Sequence, residues 1–300
     1  MPDTLDERDW NLLLRRIKDG KCTPFIGAGA CYGKIPLGKE IAQDWAKERC
    51  YPLDNCEDLA RVAQFLAVTD DYMSPKEKMR DRIREGLKEV NLQYFKDDEP
   101  HGVLADLPLP LYITTNYDDL MMRALKNQGK NPKQELCRWN KYVKQHIQQV
   151  SEMNPTVSNP IIFHFHGFYE IPESLVLTED DYLDFVVNIS KEQDLIPPRV
   201  QEALAGTSLL FLGYQIADWD LRVILRSLSS YFEKSISRAH ISVQLLPGSG
   251  SDTKKKEKKK KTQEYLDDYF DELDIRVYWG KCRDFSAELK RRWGNYDRGN

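Results

Sequence analysis

Apolar residues in this chain fall into short continuous runs, set between longer stretches where they recur every three or four positions. The runs lie within CTPFIGAGA (22–30), at Leu111–Thr114, in IIFHFHG (161–167), at Leu209–Leu212, in HISVQLL (240–246) and in DIRVYWG (274–280). They are too short for helices and apolar on consecutive positions, which predicts strands buried on both faces.

Between the strands the period changes. Trp10, Leu13, Leu14 and Ile17 share one face of a helix predicted over 7–19 and stopped by Gly20, and Leu37, Ile41, Trp45 and Ala46 do the same after Pro36. The charged segment from about 55 to 98 predicts one helix carrying Ala60, Val62, Ala63, Phe65 and Leu66 and another carrying Met79, Ile83 and Leu87, layered over the sheet. Residues 126–158 are polar and show no clear strand; Trp139, Tyr142, Val143 and Ile147 predict a short insertion. Thr178 has the position of an N-cap, with Asp181 as a shorter substitute for the usual Glu of a capping box. Helices are also predicted from about Asp218, over EYLDDYFDEL (264–273) and over FSAELKRRW (285–293).

Strands alternating with helices predict one α/β domain over 1–300: Rossmann-like, doubly wound, with a mostly parallel sheet. Helical insertions are expected at about 51–105 and 126–158, and a flexible lysine-rich loop at about 247–262.

Charge sharpens this reading. The net charge is −4, yet KKKEKKKK at 254–261 alone contributes +6, leaving −10 for the rest. An acidic body with one basic stretch does not fit a general nucleic-acid binder, so nucleic acid is expected only as an indirect partner. No apolar run approaches the ~20 residues that cross a bilayer, and the charged N-terminal segment lacks a signal-peptide core. A cytoplasmic location without membrane contact is expected. The six cysteines form no C-x-x-C pair, so a structural zinc site is not expected and reduced thiols are. Cys31, beside a glycine-rich turn, reads either as a reactive thiol or as a small packing residue.

Candidate chemistry gathers where predicted strands end. Gly27, Ala28 and Gly29 follow the first strand, where small residues let backbone N–H groups approach a pyrophosphate; tight packing alone explains them equally. Including Gly33, the spacing is one residue longer than the usual dinucleotide fingerprint. Thr115, Asn116 and Asp118 follow the second strand; the Asn116 amide can address a ribose hydroxyl or a water, and Asn116 or Asp118 can instead cap the next helix. His164 and His166 are spaced to share a strand face, unless His166 already lies in the turn before Gly167, where ligand access is better. No third ligand accompanies them, so no metal is expected, and His166 is the better candidate for a reactive group. Gly213, Tyr214, Gln215 and Asp218 form another strand-end turn suited to an adenosine, Asp218 itself reading rather as the cap of the next helix, with Gly280, Lys281 and Cys282 a weaker addition.

As an ordered set, GAG, TTNYD, HG and LFLGYQIADWDLRVIL resemble the sirtuin fold, and in particular the sirtuin-like domains of bacterial antiphage proteins that consume NAD. The resemblance covers nearly the whole chain. It implies that Gly27, Ala28 and Gly29 hold the NAD phosphates, that Asn116 positions the nicotinamide ribose and the attacking water, that Asp118 lies near the nicotinamide pocket, and that His166 is the catalytic base. Deacylase sirtuins carry four zinc-binding cysteines after the HG motif; here no cysteine lies between Gly167 and Cys282. The expected activity is therefore an NAD+ glycohydrolase acting in antiphage defence, with NAD+ as substrate. A lysine deacylase or a non-catalytic NAD or ADP-ribose sensor are the alternatives. The same resemblance implies a homo-oligomer, joined by a HerA-type translocase ATPase.

Overall fold

A computed structural model describes residues 5–91, 93–96, 98–148, 154–214, 240–244 and 253–298. Seven parallel strands make one sheet in the order β3-β4-β2-β1-β5-β6-β7. They are β1 (Cys22–Ile26), β2 (Leu111–Thr114), β3 (Lys133–Leu136), β4 (Ile161–His164), β5 (Ser208–Leu212), β6 (His240–Gln244) and β7 (Ile275–Trp279). After β1 the chain lays β2 beside it, then β3 at the edge and β4 between them, and crosses back to lay β5 on the other side of β1. The order therefore reverses between β1 and β5, the place where open α/β sheets bind ligands beyond their carboxyl ends.

Alternate strand residues feed two cores. Ile26, Tyr112, Ile162, Leu210 and Leu212 enter one, while Phe25, Leu111, Ile113, Ile161, Phe163, Leu209 and Phe211 enter the other. Helices cover both faces, so most positions of the central strands are apolar. On the first face lie α1 (Glu7–Lys18), α2 (Gly38–Glu48), α3 (Leu59–Thr69), α4 (Ser74–Leu87), α5 (Pro100–Asp106) and α6 (Leu120–Asn127), with the closing helix Cys282–Arg298. The predicted inward residues Trp10, Leu13, Leu14 and Ile17 are the buried ones of α1. The second face is covered mainly by α8 (Glu179–Lys191) and α9 (Pro198–Gly206), α7 (Lys141–His146) being a short preceding helix. Thr178 and Asp181 form the expected reciprocal cap of α8.

Two expectations are corrected. The 126–158 segment contributes a strand, β3, as well as the short helix α7. Its sequence KQEL hid it: an edge strand has one open side, and Lys133 and Gln134 are not buried. Second, the lysine-rich stretch is not a loop from 253 onward but the start of a helix, Thr253–Asp271. Lysine and glutamate are good helix formers, and the run continues into a segment whose Leu266 and Phe270, one turn apart, are buried. Residues 245–252 and the helix expected from Asp218 lie outside the described residues.

Candidate active site

The register sets the site. Ile26 pairs with Thr114 and Leu212, and Thr114 pairs with His164, so four central strands end in one row. Gly27, Thr115, Phe165 and Gly213 make the next row, and Asn116 and His166 come one residue further. Residues as far apart in sequence as Ile26 and Gly213 thus share one edge because their strands stop together.

The glycine turn is built for close approach between β1 and β5. The Gly27 N–H donates to the Leu212 carbonyl at 2.7 Å, the Gly29 N–H to the Gly213 carbonyl at 2.8 Å and the Ala30 N–H to the Gly27 carbonyl at 3.0 Å. A Cβ on Gly27 would stand 2.9 Å from the Gly213 oxygen and the Tyr214 ring, and one on Gly29 3.0 Å from Gly213. Packing therefore demands both glycines, and their amides already have protein partners. The exposed point of the turn is Ala28. Gly213 has φ +83°, a conformation natural to glycine, and its Cβ would collide with the Ala30 nitrogen.

Tyr214 seals the junction. Its hydroxyl donates to the Ile26 carbonyl at 3.1 Å and receives the Thr115 hydroxyl at 2.8 Å. Gln215 and Asp218 lie outside the described residues. The Cys282 sulfur abuts the Gly213 backbone, and the Gly280 N–H donates to Gln244, so the last strand's turn borders the same edge.

Asn116 is held on every side but one. Its backbone N–H donates to the Thr114 hydroxyl at 2.9 Å, and its side-chain Nδ2 donates to the Gly27 carbonyl at 3.1 Å and to the Cys31 sulfur at 3.0 Å. Among the described residues nothing donates to Oδ1, which leaves an oriented acceptor. Asp118 is not an open carboxylate: Oδ1 accepts from the Leu120 N–H at 2.9 Å and Oδ2 from the Cys31 thiol at 3.3 Å. Asp118 thus ties down the start of α6, while Asn116 does not cap it.

The two histidines part company where β4 ends. His164 Nδ1 donates to the Asn116 carbonyl at 3.3 Å, its Nε2 accepts from Gln134 at 3.1 Å, and its ring lies against Phe168. This fixes its tautomer, and burial pushes its pKa down to about 4. His166 turns to the opposite core, edge-on to Tyr182 and Phe185 at 5.4 and 5.0 Å between ring centres. A shared face for the pair is thus overturned, because the alternation that puts Phe163 and Phe165 in one core ends before His166, which lies in the turn. Burial lowers the His166 pKa to about 3, so its ring is neutral at physiological pH. Gly167 has φ +91° and would place a Cβ 2.2 Å from the Ser174 carbonyl, so the turn after His166 requires glycine.

Sequence reasoning missed Glu99 and His101, which begin α5 just before β2. His101 Nδ1 donates to Glu99 Oε1 at 2.6 Å, and His101 Nε2 lies 3.9 Å from the Cys31 sulfur. The Glu–His pair of EPH (99–101), one helix ahead of the strand that runs into TTNYD, was the available signal. Cys31 is no exposed nucleophile: burial first, then the Asp118 charge, pushes its thiol pKa far up. Cys31, His101 and Asp118 offer ligand atoms within 4.8 Å of one another, but the thiol and the carboxylate already bond each other.

Comparison with known proteins agrees with this architecture. Residues 110–271 match the model of the SIR2-like domain. The chain is 27% identical to the NAD(+) hydrolase ThsA of Acinetobacter baumannii (strain 532279), over 74% of its own length and 42% of that protein's. It is 33% identical to the NAD(+) hydrolase ThsA of Cytobacillus dafuensis, over 71% of this chain and 39% of the relative. It is 27% identical to defense-associated sirtuin 2 of Bacillus subtilis, over 44% of this chain and 12% of that protein. The chain thus spans about two fifths of the length of the ThsA relatives it matches.

Proposed function

The chain belongs to the SIR2-like domain family, and we propose that it acts as an NAD+ glycohydrolase in antiphage defence, cleaving the nicotinamide–ribose bond to give nicotinamide and ADP-ribose. The carrying observation is Asn116: both of its side-chain donor contacts are to protein, and its Oδ1 is left as an oriented acceptor beside the glycine turn that opens the reversal point of the sheet. The resemblance to NAD(+) hydrolases over some three quarters of the chain supports the substrate.

Nicotinamide leaves as a neutral molecule from a cationic ring, so the leaving group needs no strong acid. Positive charge builds on the ribose, as in the oxocarbenium-like transition state of glycoside hydrolysis. Asn116 Oδ1 accepts from a ribose hydroxyl or from the incoming water and fixes its line of attack. Neutral His166 takes one water proton, while the water oxygen bonds the anomeric carbon and the C–N electron pair leaves with nicotinamide. A cationic centre needs only a weak base to draw in water, which suits a ring whose pKa burial has lowered.

In this reading the diphosphate lies across the Ala28 side of the glycine turn, with Gly27, Gly29 and Gly213 setting its depth. Thr115 and Tyr214 wall the ribose side, and Asp118 stands near the nicotinamide. Uncontrolled NAD+ hydrolysis would harm the producing cell, so the reading includes control by assembly: a homo-oligomer, joined by a HerA-type ATPase. The direct test is nicotinamide release from NAD+ by the purified protein, alone and with such partners, and with an acetyl-lysine peptide as comparison. Release that requires the peptide would point to a deacylase instead.

A further inference from the structure

One cluster of buried ionisable groups stands behind that chemistry, joined to it through Asp118 and Asn116. Glu99, His101, Cys31 and Asp118 are all less than 8% exposed, and together they reach Asn116. Burying such groups is costly compared with packing hydrophobic residues of the same volume, so their arrangement points to a role beyond filling space.

The polarity of each contact follows from its neighbour. Glu99 uses Oε2 to accept the Gly102 N–H at 2.7 Å, at the start of α5, and Oε1 to accept His101 Nδ1–H at 2.6 Å. That aims His101 Nε2 at the Cys31 sulfur, 3.9 Å away; with the Glu99 carboxylate holding the ring doubly protonated, Nε2–H faces the sulfur as a donor and leaves the S–H to Asp118. The Cys31 S–H goes to Asp118 Oδ2, so the sulfur can only accept from Asn116 Nδ2. The Gly27 carbonyl is likewise only an acceptor. Flipping the Asn116 amide would turn Oδ1 toward two acceptors, so the sulfur and the carbonyl together force Oδ1 outward.

We propose that Glu99, His101 and Cys31 form a positioning chain that fixes the Asn116 amide with Oδ1 toward the substrate crevice and keeps Asp118 as the acceptor of the Cys31 thiol. Asn116 touches substrate; these three act through it. The inference rests on the glycohydrolase reading.

The test compares steady-state NAD+ cleavage by wild type, Cys31→Ala, Cys31→Ser and Glu99→Gln, under whatever conditions activate the wild type. Cys31→Ala frees Asn116 to turn, so kcat should fall about 10- to 100-fold, with KM changed by no more than about twofold. Cys31→Ser, whose hydroxyl both donates and accepts, should recover most of that loss. Glu99→Gln keeps an acceptor for Gly102 but releases His101, and should lower kcat with KM unchanged even if Cys31→Ala folds poorly. The inference is overturned if the variants keep wild-type kcat, if their losses track falling thermal stability with serine no better than alanine, or if the purified protein holds stoichiometric zinc on these side chains. A wild type that cleaves no NAD+ under any condition overturns the glycohydrolase reading itself.

Discussion

Asn116 ties two neighbouring strand ends together: its side-chain amide donates to the Gly27 carbonyl at 3.1 Å, joining the end of β2 to the glycine turn that follows β1. The same contact that closes the sheet edge therefore orients the residue proposed to face substrate. Asn116→Asp keeps the shape but sets a carboxylate oxygen against the Gly27 carbonyl and a second negative charge beside Asp118. Nicotinamide release should fall by at least about 100-fold, with unfolding free energy lower by about 1–3 kcal/mol. Enzyme assays and urea unfolding of the same preparation measure both.

Gly27→Ala tests whether the turn is set by packing. Its new methyl would press on the Gly213 oxygen and the Tyr214 ring at 2.9 Å, both parts of a filled junction. Overpacking of this kind costs typically about 1–3 kcal/mol, so the melting temperature should drop whether or not NAD+ is present. Gly33→Ala meets no atom within 4 Å, but its φ of +89° penalises any side chain. It should therefore cost stability without disturbing Tyr214.

The sequence disclosed those features that depend on one strand and its end. Buried strands announced themselves as apolar runs, and Asn116 and His166 stood out because polar residues directly followed them. Strand β3 was hidden because an edge strand need not be apolar, and the helix from Thr253 because a lysine run read as composition rather than as helix formers. Sequence alone ranks His164 below His166, yet His164 holds the Asn116 backbone from the end of the neighbouring strand. Glu99 and His101 were illegible for the same reason: their meaning lies in reaching Cys31, some seventy positions away, which only the assembled sheet edge reveals.

Stability should depend on pH through the buried histidines. His164 and His166 have folded pKa values lowered to about 4 and about 3, against about 6.5 for an unfolded histidine. Above that value both states are neutral and the groups contribute nothing. As pH falls below it the unfolded chain binds protons that the folded chain refuses, so stability drops by roughly 1.4 kcal/mol per pH unit for each, until the folded values are reached. His101 has the opposite sign. Burial lowers its pKa, but the Glu99 charge, the Glu99 hydrogen bond and the Asp118 charge together outweigh it, so the folded value is raised and its stabilisation fades as pH rises through that value. Urea unfolding of wild type and His166→Gln at pH 7.5 and 5 should show a smaller acid loss in the variant.

The loop that carries the wall around His166 is held by a buried ion pair. Lys76 Nζ lies 2.9 Å from Asp181 Oδ1 and from the Leu175 carbonyl, with both charged side chains at most 1% exposed. Tyr182 and Phe185 of the adjoining helix frame the His166 ring. Asp181→Ala leaves Lys76 without its charge partner and removes the Asp181 half of the reciprocal cap of α8, so unfolding free energy should fall by about 3–5 kcal/mol. In Lys76→Met, Asp181 keeps the Leu177 and Thr178 N–H groups and the Tyr72 hydroxyl. That variant should lose less, as calorimetry would show.

The most direct test of the account is single-turnover release of nicotinamide from NAD+ by the activated wild type, Asn116→Ala and His166→Ala, with NAD+ binding measured on the same samples. The account predicts release by the wild type, loss of release by about 100-fold or more in both variants, and NAD+ binding that survives in them. Undiminished release in both variants would contradict the placement of the chemistry at Asn116 and His166.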